Sequence, residues 1–337
     1  MSGSFTPHAV LVTGGAGFIG SNFINHFMAG NPGCRVVNLD TLTYAGNLEN
    51  LRSVENKSNY RFVKGDISDG GLVAALLHDE KIDAVVHFAA ESHVDRSIMG
   101  PEVFVRTNVL GTQILLEESR KHLQSGCVDD FRYLQISTDE VYGSLGKTGY
   151  FTEETPLAAN SPYSASKAGA DLLARAYHET FGFPALTTRC SNNYGPYQFP
   201  EKLIPLFVTR LLEHRTVPLY GDGGNVRDWL HVDDHCQGVQ LVVEHGVAGA
   251  AYNIGGGEEL SNKALTQRIL DAMGAGWDQV EYVADRPGHD RRYALDDARV
   301  RALGYRPRHT FADGLAETIE WYRTNQAWWR PLLVGAP

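Results

Sequence analysis

Short apolar runs alternate, along the first half of the chain, with stretches in which apolar residues recur at helical spacing. The run "AVLVT" passes through a glycine-rich turn into "FIGSNFINHFMAG", where Phe18, Ile19, Phe23 and Phe27 share one helical face. "RVVNLD", "YRFVKGD", "IDAVVHFAA", "FRYLQIST" and "PALTTRCSN" repeat the run, with helical stretches between several of them. Continuous apolar strands separated by helices predict an α/β fold, a doubly wound parallel sheet covered on both faces. Beyond about residue 190 the texture changes to loop-rich "NNYGPYQFPEKLIP" and "YGDGGNVRDW" among shorter elements, which predicts a smaller lobe packed directly on the sheet. "LAETIEWYRTNQAWWRPLL" predicts one amphipathic helix whose Trp328 and Trp329 cover core or lobe surface.

Composition narrows the function classes. With 337 residues and 43% hydrophobic content the chain can bury a sizeable core, so disorder is excluded. A net charge of -10 argues against nucleic acid as a partner, while leaving room for a local basic pocket. No apolar run approaches the ~20 residues that span a bilayer, and "MSGSFTPH" lacks the features of a signal peptide; a soluble, cytoplasmic protein is expected. Cys34, Cys127, Cys190 and Cys236 are widely spaced and are expected to be buried free thiols, with no metal site.

Gly14, Gly17 and Gly20 stand between the first strand and the first helix. Glycines there allow a tight turn and close backbone approach, leaving a helix N-terminus to meet a pyrophosphate. Asp40 follows at the end of the next strand, where a carboxylate can accept both ribose hydroxyls and would repel a 2′-phosphate, so NAD is favoured over NADP. Asp66 ends a further strand, suited to an adenine amino group, and "HFAAES" supplies a small-residue loop for the cofactor backbone.

In "SPYSASKAGAD" a Ser-Pro start opens a helix that places Tyr163 and Lys167 on one face. A nearby ammonium is expected to lower the phenol pKa and make Tyr163 a usable base. Upstream, "QISTDEVYG" sets Thr138, Asp139 and Glu140 at a strand end. Both carboxylates can serve one substrate only if the chain leaves the strand at about Thr138; burial and repulsion would then leave one protonated and one ionised. That pair is what elimination of water requires.

With these motifs in place the chain resembles the nucleotide-sugar 4,6-dehydratase family of the extended short-chain dehydrogenase/reductase superfamily, over almost its whole length. The matching stretches include "TGGAGFIGSNF", "LDTLTYAGNLENL", "AAESHVDRSI", "TRCSNNYGPYQFPEKLIPL", "GDGGNVRDWLHVDDH" and "DRPGHDRRYALD". The resemblance implies a Rossmann-type NAD-binding domain over 1-190 and, over 191-337, mainly a smaller α/β nucleotide-sugar-binding lobe, some segments of which return to the sheet. It implies that Phe18, Ile19, Asp40, Thr41, Leu42, Thr43, Asp66, Ile67, Ala89, Ala90, Glu91, Ser92, Thr107 and Asn193 contact NAD, beside the three glycines, Tyr163 and Lys167.

By the same resemblance Ser92, His93, Thr138, Asn192, Lys202, Leu203, Pro218, Leu219, Tyr220, Arg227, Asn262, Arg286 and His289 line a dTDP-glucose site, and the protein is a homodimer. The implied chemistry is C4 oxidation by Thr138, Tyr163 and Lys167, then loss of water across C5 and C6 by Glu140 and Asp139. Hydride then returns to C6 from a tightly retained NAD. A 4-epimerase would share Tyr163 and Lys167 but not the carboxylate pair, and a catalytically dead dinucleotide sensor would have lost one of the reactive residues. The thymine base is not legible from residue types.

Overall fold

The computed structural model describes residues 4–333. Twelve strands are defined: β1 (Ala9–Thr13), β2 (Arg35–Asp40), β3 (Tyr60–Lys64), β4 (Ala84–His87), β5 (Arg132–Thr138), β6 (Ala185–Cys190), β7 (Asn192–Tyr194), β8 (Val217–Tyr220), β9 (Val226–His231), β10 (Ala251–Ile254), β11 (Glu259–Ser261) and β12 (Val280–Val283). Seven form one parallel sheet in the order β3-β2-β1-β4-β5-β6-β10. Strand order reverses between β1 and β4, where a doubly wound sheet opens a crevice at its carboxyl edge.

The two faces of the sheet divide alternate strand residues, as the pleat requires. Val10 and Val12 pack with Phe23, Phe27, Val239 and Val242 of the helices Phe18–Gly30 and Val232–His245. Leu11 points the other way, into a layer with Leu76, Leu115 and Ala174 from the helices Gly70–Asp79, Thr112–Gln124 and Pro162–Phe181. Strands covered on both sides read as unbroken apolar runs, which is why they were visible in the sequence.

After residue 190, β10 pairs with β6, and Val232–His245 covers the same face as the first helix. The rest forms a lobe with a three-stranded sheet (β11-β9-β7), a two-stranded sheet (β12-β8) and helices around Tyr194, Phe207, Trp229, Leu265, Leu315 and Trp329. The expected single terminal helix is two, Phe311–Thr324 and Gln326–Leu333, because the first is closed at Asn325. Trp329 is fully buried and donates to the Tyr322 carbonyl at 2.7 Å, while Trp328 donates to Asn50 Oδ1 at 2.8 Å and pins the lobe to the sheet domain.

All four cysteines are free, but Cys127 is only half-buried, in the loop after Thr112–Gln124, unlike the other three. A π-helical segment, Val105–Gly111, joins the helices Pro101–Phe104 and Thr112–Gln124. Such segments occur often at functional sites. Among the described residues no helix is long and apolar enough to cross a membrane.

Candidate active site

The carboxyl ends of β1, β2, β4, β5 and β6 open into one cavity of about 520 Å³. Its floor on the β1 side is backbone. Gly14 has φ +69°, and a Cβ there would lie 2.5 Å from the Ala89 amide nitrogen. A Cβ on Gly20 would lie 2.3 Å from the Gly14 carbonyl oxygen, so the first helix can approach the loop only with glycine in place. That helix begins after Gly17 with no side-chain cap and no acidic residue in its first turn. Its leading N–H groups and positive dipole end are therefore available to an anionic group.

Asp40 closes β2 beside this cradle. Its Oδ2 accepts from the Ala16 N–H at 2.9 Å and its Oδ1 from the Leu42 N–H at 2.8 Å. Burial raises its pKa and these two bonds oppose the rise. Each oxygen keeps a lone pair for a further donor. Leu42, which takes φ +56° to make its bond, braces Asp40 and does not line the cavity. Phe18, Ile19, Thr41, Thr43, Asp66, Ile67, the loop Ala89–Ser92, Thr107 and Asn193 do line it. The uncapped helix start, the two glycines that admit no Cβ and the strand-end carboxylate together fit a dinucleotide.

At the centre, β5 ends at Thr138 and the chain turns at once into a 3₁₀ turn, Asp139–Tyr142. The Thr138 hydroxyl accepts from the Glu140 N–H at 3.3 Å and donates to Asp139 Oδ1 at 3.2 Å. Leaving the strand here brings both carboxylates to the same cavity, which a continued strand could not do. Asp139 Oδ2 is buried without a partner. Burial, and then the charge of Glu140, push Asp139 well above the ordinary carboxylate range. Burial also raises Glu140, but Arg286, Arg227 and Lys202 oppose it. Both carboxyls are thus raised by burial, with three cations prominent against the rise at Glu140 and Arg227 alone among the cations prominent against it at Asp139.

The helix Pro162–Phe181 starts on a reciprocal cap, with Ser164 N–H on Ser161 Oγ and Ser161 N–H on Ser164 Oγ, each at 3.0 Å. This fixes Tyr163 in the first turn. Lys167, one turn on, donates to the Ile136 carbonyl of β5 at 2.6 Å; burial lowers its pKa, opposed by Asp171 and Cys190. The expected lowering of the Tyr163 phenol is not met. Burial, followed by Glu140, Cys190 and Asp139, pushes it well above its ordinary value, with only the Thr138 hydroxyl prominent against it. Lys167 is held down on the strand carbonyl, and the carboxylates dominate the charge around the phenol.

On the lobe side, Ser92, Thr138, Asn192 and Lys202 line the same cavity. His93, Leu203, Pro218, Leu219, Tyr220, Arg227, Asn262, Arg286 and His289 do not. Leu219 is buried, in contact range of Gly223, and Leu203 opens the helix Leu203–Leu212 against the lobe core. Arg227 is held by the Asp290 carbonyl at 3.0 Å over the Tyr293 ring, whereas Arg286 Nε is buried with no partner. Asn262 Oδ1 is likewise buried and unpartnered, and His289 Nδ1 meets Asp285 at 2.6 Å.

Two features escaped the sequence reading. Tyr44 donates to Glu201 Oε1 at 2.8 Å while Arg96 covers the Tyr44 ring at 3.8 Å and reaches Glu201 Oε2 at 3.3 Å, joining sheet domain and lobe across the cavity rim. Asn108, on the π-helix, accepts from the Glu91 N–H at 2.8 Å and donates to the Glu91 carbonyl at 3.0 Å and to Ser166 Oγ at 2.8 Å. It ties the cavity loop to the helix of Tyr163. Tyr44 and Glu201 are far apart in sequence, and an asparagine in a helical stretch carries no local signal. Away from the cavity, His231, His309 and Glu317 also approach one another, but the two imidazoles stack at 3.9 Å, so their lone pairs run side by side instead of converging on an ion.

A family model described as GDP-mannose 4,6 dehydratase matches residues 11–318. The dTDP-glucose 4,6-dehydratase of Streptomyces niveus is 55% identical over 328 residues, covering 96% of this chain and 95% of the relative. The crystal structure of the dTDP-glucose 4,6-dehydratase from Streptomyces venezuelae, with NAD bound, superposes with a TM-score of 0.92 at 57% identity, covering 96% of this chain and 99% of that one. A UDP-glucose 4-epimerase from Thermotoga maritima shares the fold with a TM-score of 0.86 at 29% identity over 94% of this chain and 99% of its own. The chain belongs to the nucleotide-sugar 4,6-dehydratase family.

Proposed function

We propose that this chain converts dTDP-glucose to dTDP-4-keto-6-deoxyglucose and water, as a hydro-lyase using a retained NAD. The observation that carries this is the turn Thr138–Asp139–Glu140, which sets two carboxyl groups, an acid and a base for elimination, at the same cavity as Tyr163 and Lys167. A 4-epimerase needs only the second pair.

The glycine cradle, the first helix N-terminus and Asp40 would hold the dinucleotide, with Lys167 and Tyr163 beside its nicotinamide end. Bound there, NAD would supply a hydride acceptor for C4 and a hydride donor for C6. The chain's own groups move the protons. Tyr163 takes the proton of the C4 hydroxyl, which Thr138 orients; burial and the carboxylates hold the phenol high, so the phenolate that forms depends on the positive charge of the oxidised nicotinamide beside it. The resulting C4 ketone acidifies the hydrogen on C5. Glu140 removes that proton while Asp139 protonates the C6 hydroxyl, which departs as water. Glu140, its proton exchanged with solvent, then delivers one to C5. Lys202, Arg227 and Arg286 supply cations for the substrate diphosphate, and Ser92, His93, Asn192, Leu203, Pro218–Tyr220, Asn262 and His289 complete the nucleotide-sugar side. In this scheme residues 1–190 chiefly serve the cofactor and 191–337 chiefly the sugar nucleotide.

We further infer a cytoplasmic homodimer. Its support is a band of exposed apolar side chains, Met99, Val103, Val105, Leu110, Leu172 and Phe181, on the 94–111 segment and the Pro162–Phe181 helix. A second copy would cover both.

Incubation with dTDP-glucose should yield a nucleotide sugar lighter by one water, with no added reductant. Recovery of unchanged substrate or of its C4 epimer would remove the dehydratase assignment. Parallel incubation with UDP-, CDP- and GDP-hexoses, each expected to turn over far more slowly, tests the base.

A further inference from the structure

Arg189 is buried within the large sheet, 8% exposed, on β6, the strand beside the edge strand β10. Its register partners are Ser137 of β5, one residue before Thr138, and Asn253 of β10. A guanidinium in that place must be fully paired, because an uncompensated buried charge is strongly destabilising. Its Nε donates to Asp171 Oδ2 at 2.9 Å and its Nη1 to the Tyr142 hydroxyl at 2.8 Å. Tyr142 in turn donates to Asn253 Oδ1 at 2.8 Å, and its ring stacks on Phe151 at 4.9 Å.

The two ends of this chain of bonds carry different chemistry. Asp171 lies on the helix of Tyr163 and Lys167, at four-residue steps along one face. Tyr142 is the last residue of the turn that begins with Asp139 and Glu140. Thr138 fixes the start of that turn and Tyr142 its end, with Glu140 between them. Tyr163 and Lys167 have independent supports in the reciprocal serine cap and the Ile136 carbonyl. Asp139 has its own in Thr138.

We propose that Tyr142 and Arg189 are positioning residues that clamp the elimination turn to the oxidation helix and place the Glu140 carboxylate at C5 of the sugar. The clamp rests on the dehydratase assignment above. Loosening its Tyr142 end leaves the oxidation groups where they are and moves the base, so removal of the C5 proton slows while C4 oxidation does not.

The test is single-turnover kinetics of Tyr142→Phe on the NAD-loaded protein with dTDP-glucose. Oxidation is followed by the absorbance of the reduced nicotinamide, and C5 deprotonation by solvent deuterium uptake. Phe keeps the ring stacked on Phe151, so cofactor content and melting temperature are expected to stay near those of the wild type. Oxidation should stay within about twofold and C5 deprotonation should slow roughly ten- to a hundredfold, as for a displaced catalytic group. Arg189→Lys keeps a charge for Asp171 but not the fork that also reaches Tyr142, and should show the same split. Equal slowing of both steps, or no slowing of either, in Tyr142→Phe overturns the clamp. Failure of the wild type to release water in the same assay overturns the dehydratase assignment instead.

Discussion

The cofactor side and the sugar side of the cavity are built from different material. Around the glycine loop the surface is mostly main chain: a helix start, a left-handed glycine and a strand-end carboxylate braced by two amides. Toward the lobe, long cationic side chains drawn from separate elements act on Glu140, with Lys202 in the cavity wall and Arg227 and Arg286 behind it. Main chain is rigid and admits no extra atom, whereas side chains can shift and share a load. The first kind of site is broken by adding a methyl group and the second is only weakened by removing a whole guanidinium.

The largest expected effect therefore comes from the smallest change. Gly20→Ala drives a Cβ into the Gly14 carbonyl, so the purified protein should contain no NAD, show no turnover and lose about 1–3 kcal/mol of stability by denaturant titration. A variant that retains cofactor would break the contrast. Next is Glu140→Gln, at the boundary of the two sides: cofactor and substrate still bind, reduced cofactor and 4-keto sugar accumulate, and overall turnover falls about 10²- to 10⁴-fold. Normal turnover there would remove the base assignment.

Arg286→Ala should be milder, raising KM for dTDP-glucose roughly tenfold with the fold and cofactor content intact. A loss as severe as that of Gly20→Ala would show that the sugar side does not share its load. The same variant carries the smallest effect. Glu140 must be ionised to act; burial raises its pKa and Arg286 opposes the rise. Activity is thus present above that pKa and lost as pH falls through it. Without Arg286 the pKa rises further, so the acid limb of kcat at saturating substrate moves to higher pH.

The same division decides what the sequence could reveal. Gly14, Gly17, Gly20, Asp40 and the Tyr163–Lys167 pair are set by spacing within a single turn or strand-helix unit, where geometry follows from local periodicity. Thr138–Asp139–Glu140 were legible for the same reason once the strand was assumed to end at Thr138. Tyr44–Glu201 and Tyr142–Arg189–Asn253 join residues dozens of positions apart, and no local pattern reports them. The phenol of Tyr163 shows the limit of pairwise reasoning. The lysine at the helical spacing is present, but its ammonium is spent on Ile136, and the neighbouring carboxylates set the sign.

The seventh strand of the sheet bears on how the chain is made. During synthesis, residues up to Cys190 emerge with one edge of β6 unpaired, and its partner β10 arrives only with residues 251–254. An open apolar edge is a template for association with other chains. The nascent protein must keep β6 unoccupied while the sixty intervening residues leave the ribosome, counted roughly, at about 5–20 residues per second. For those seconds the strand that carries Arg189 is an edge open to capture by a neighbour.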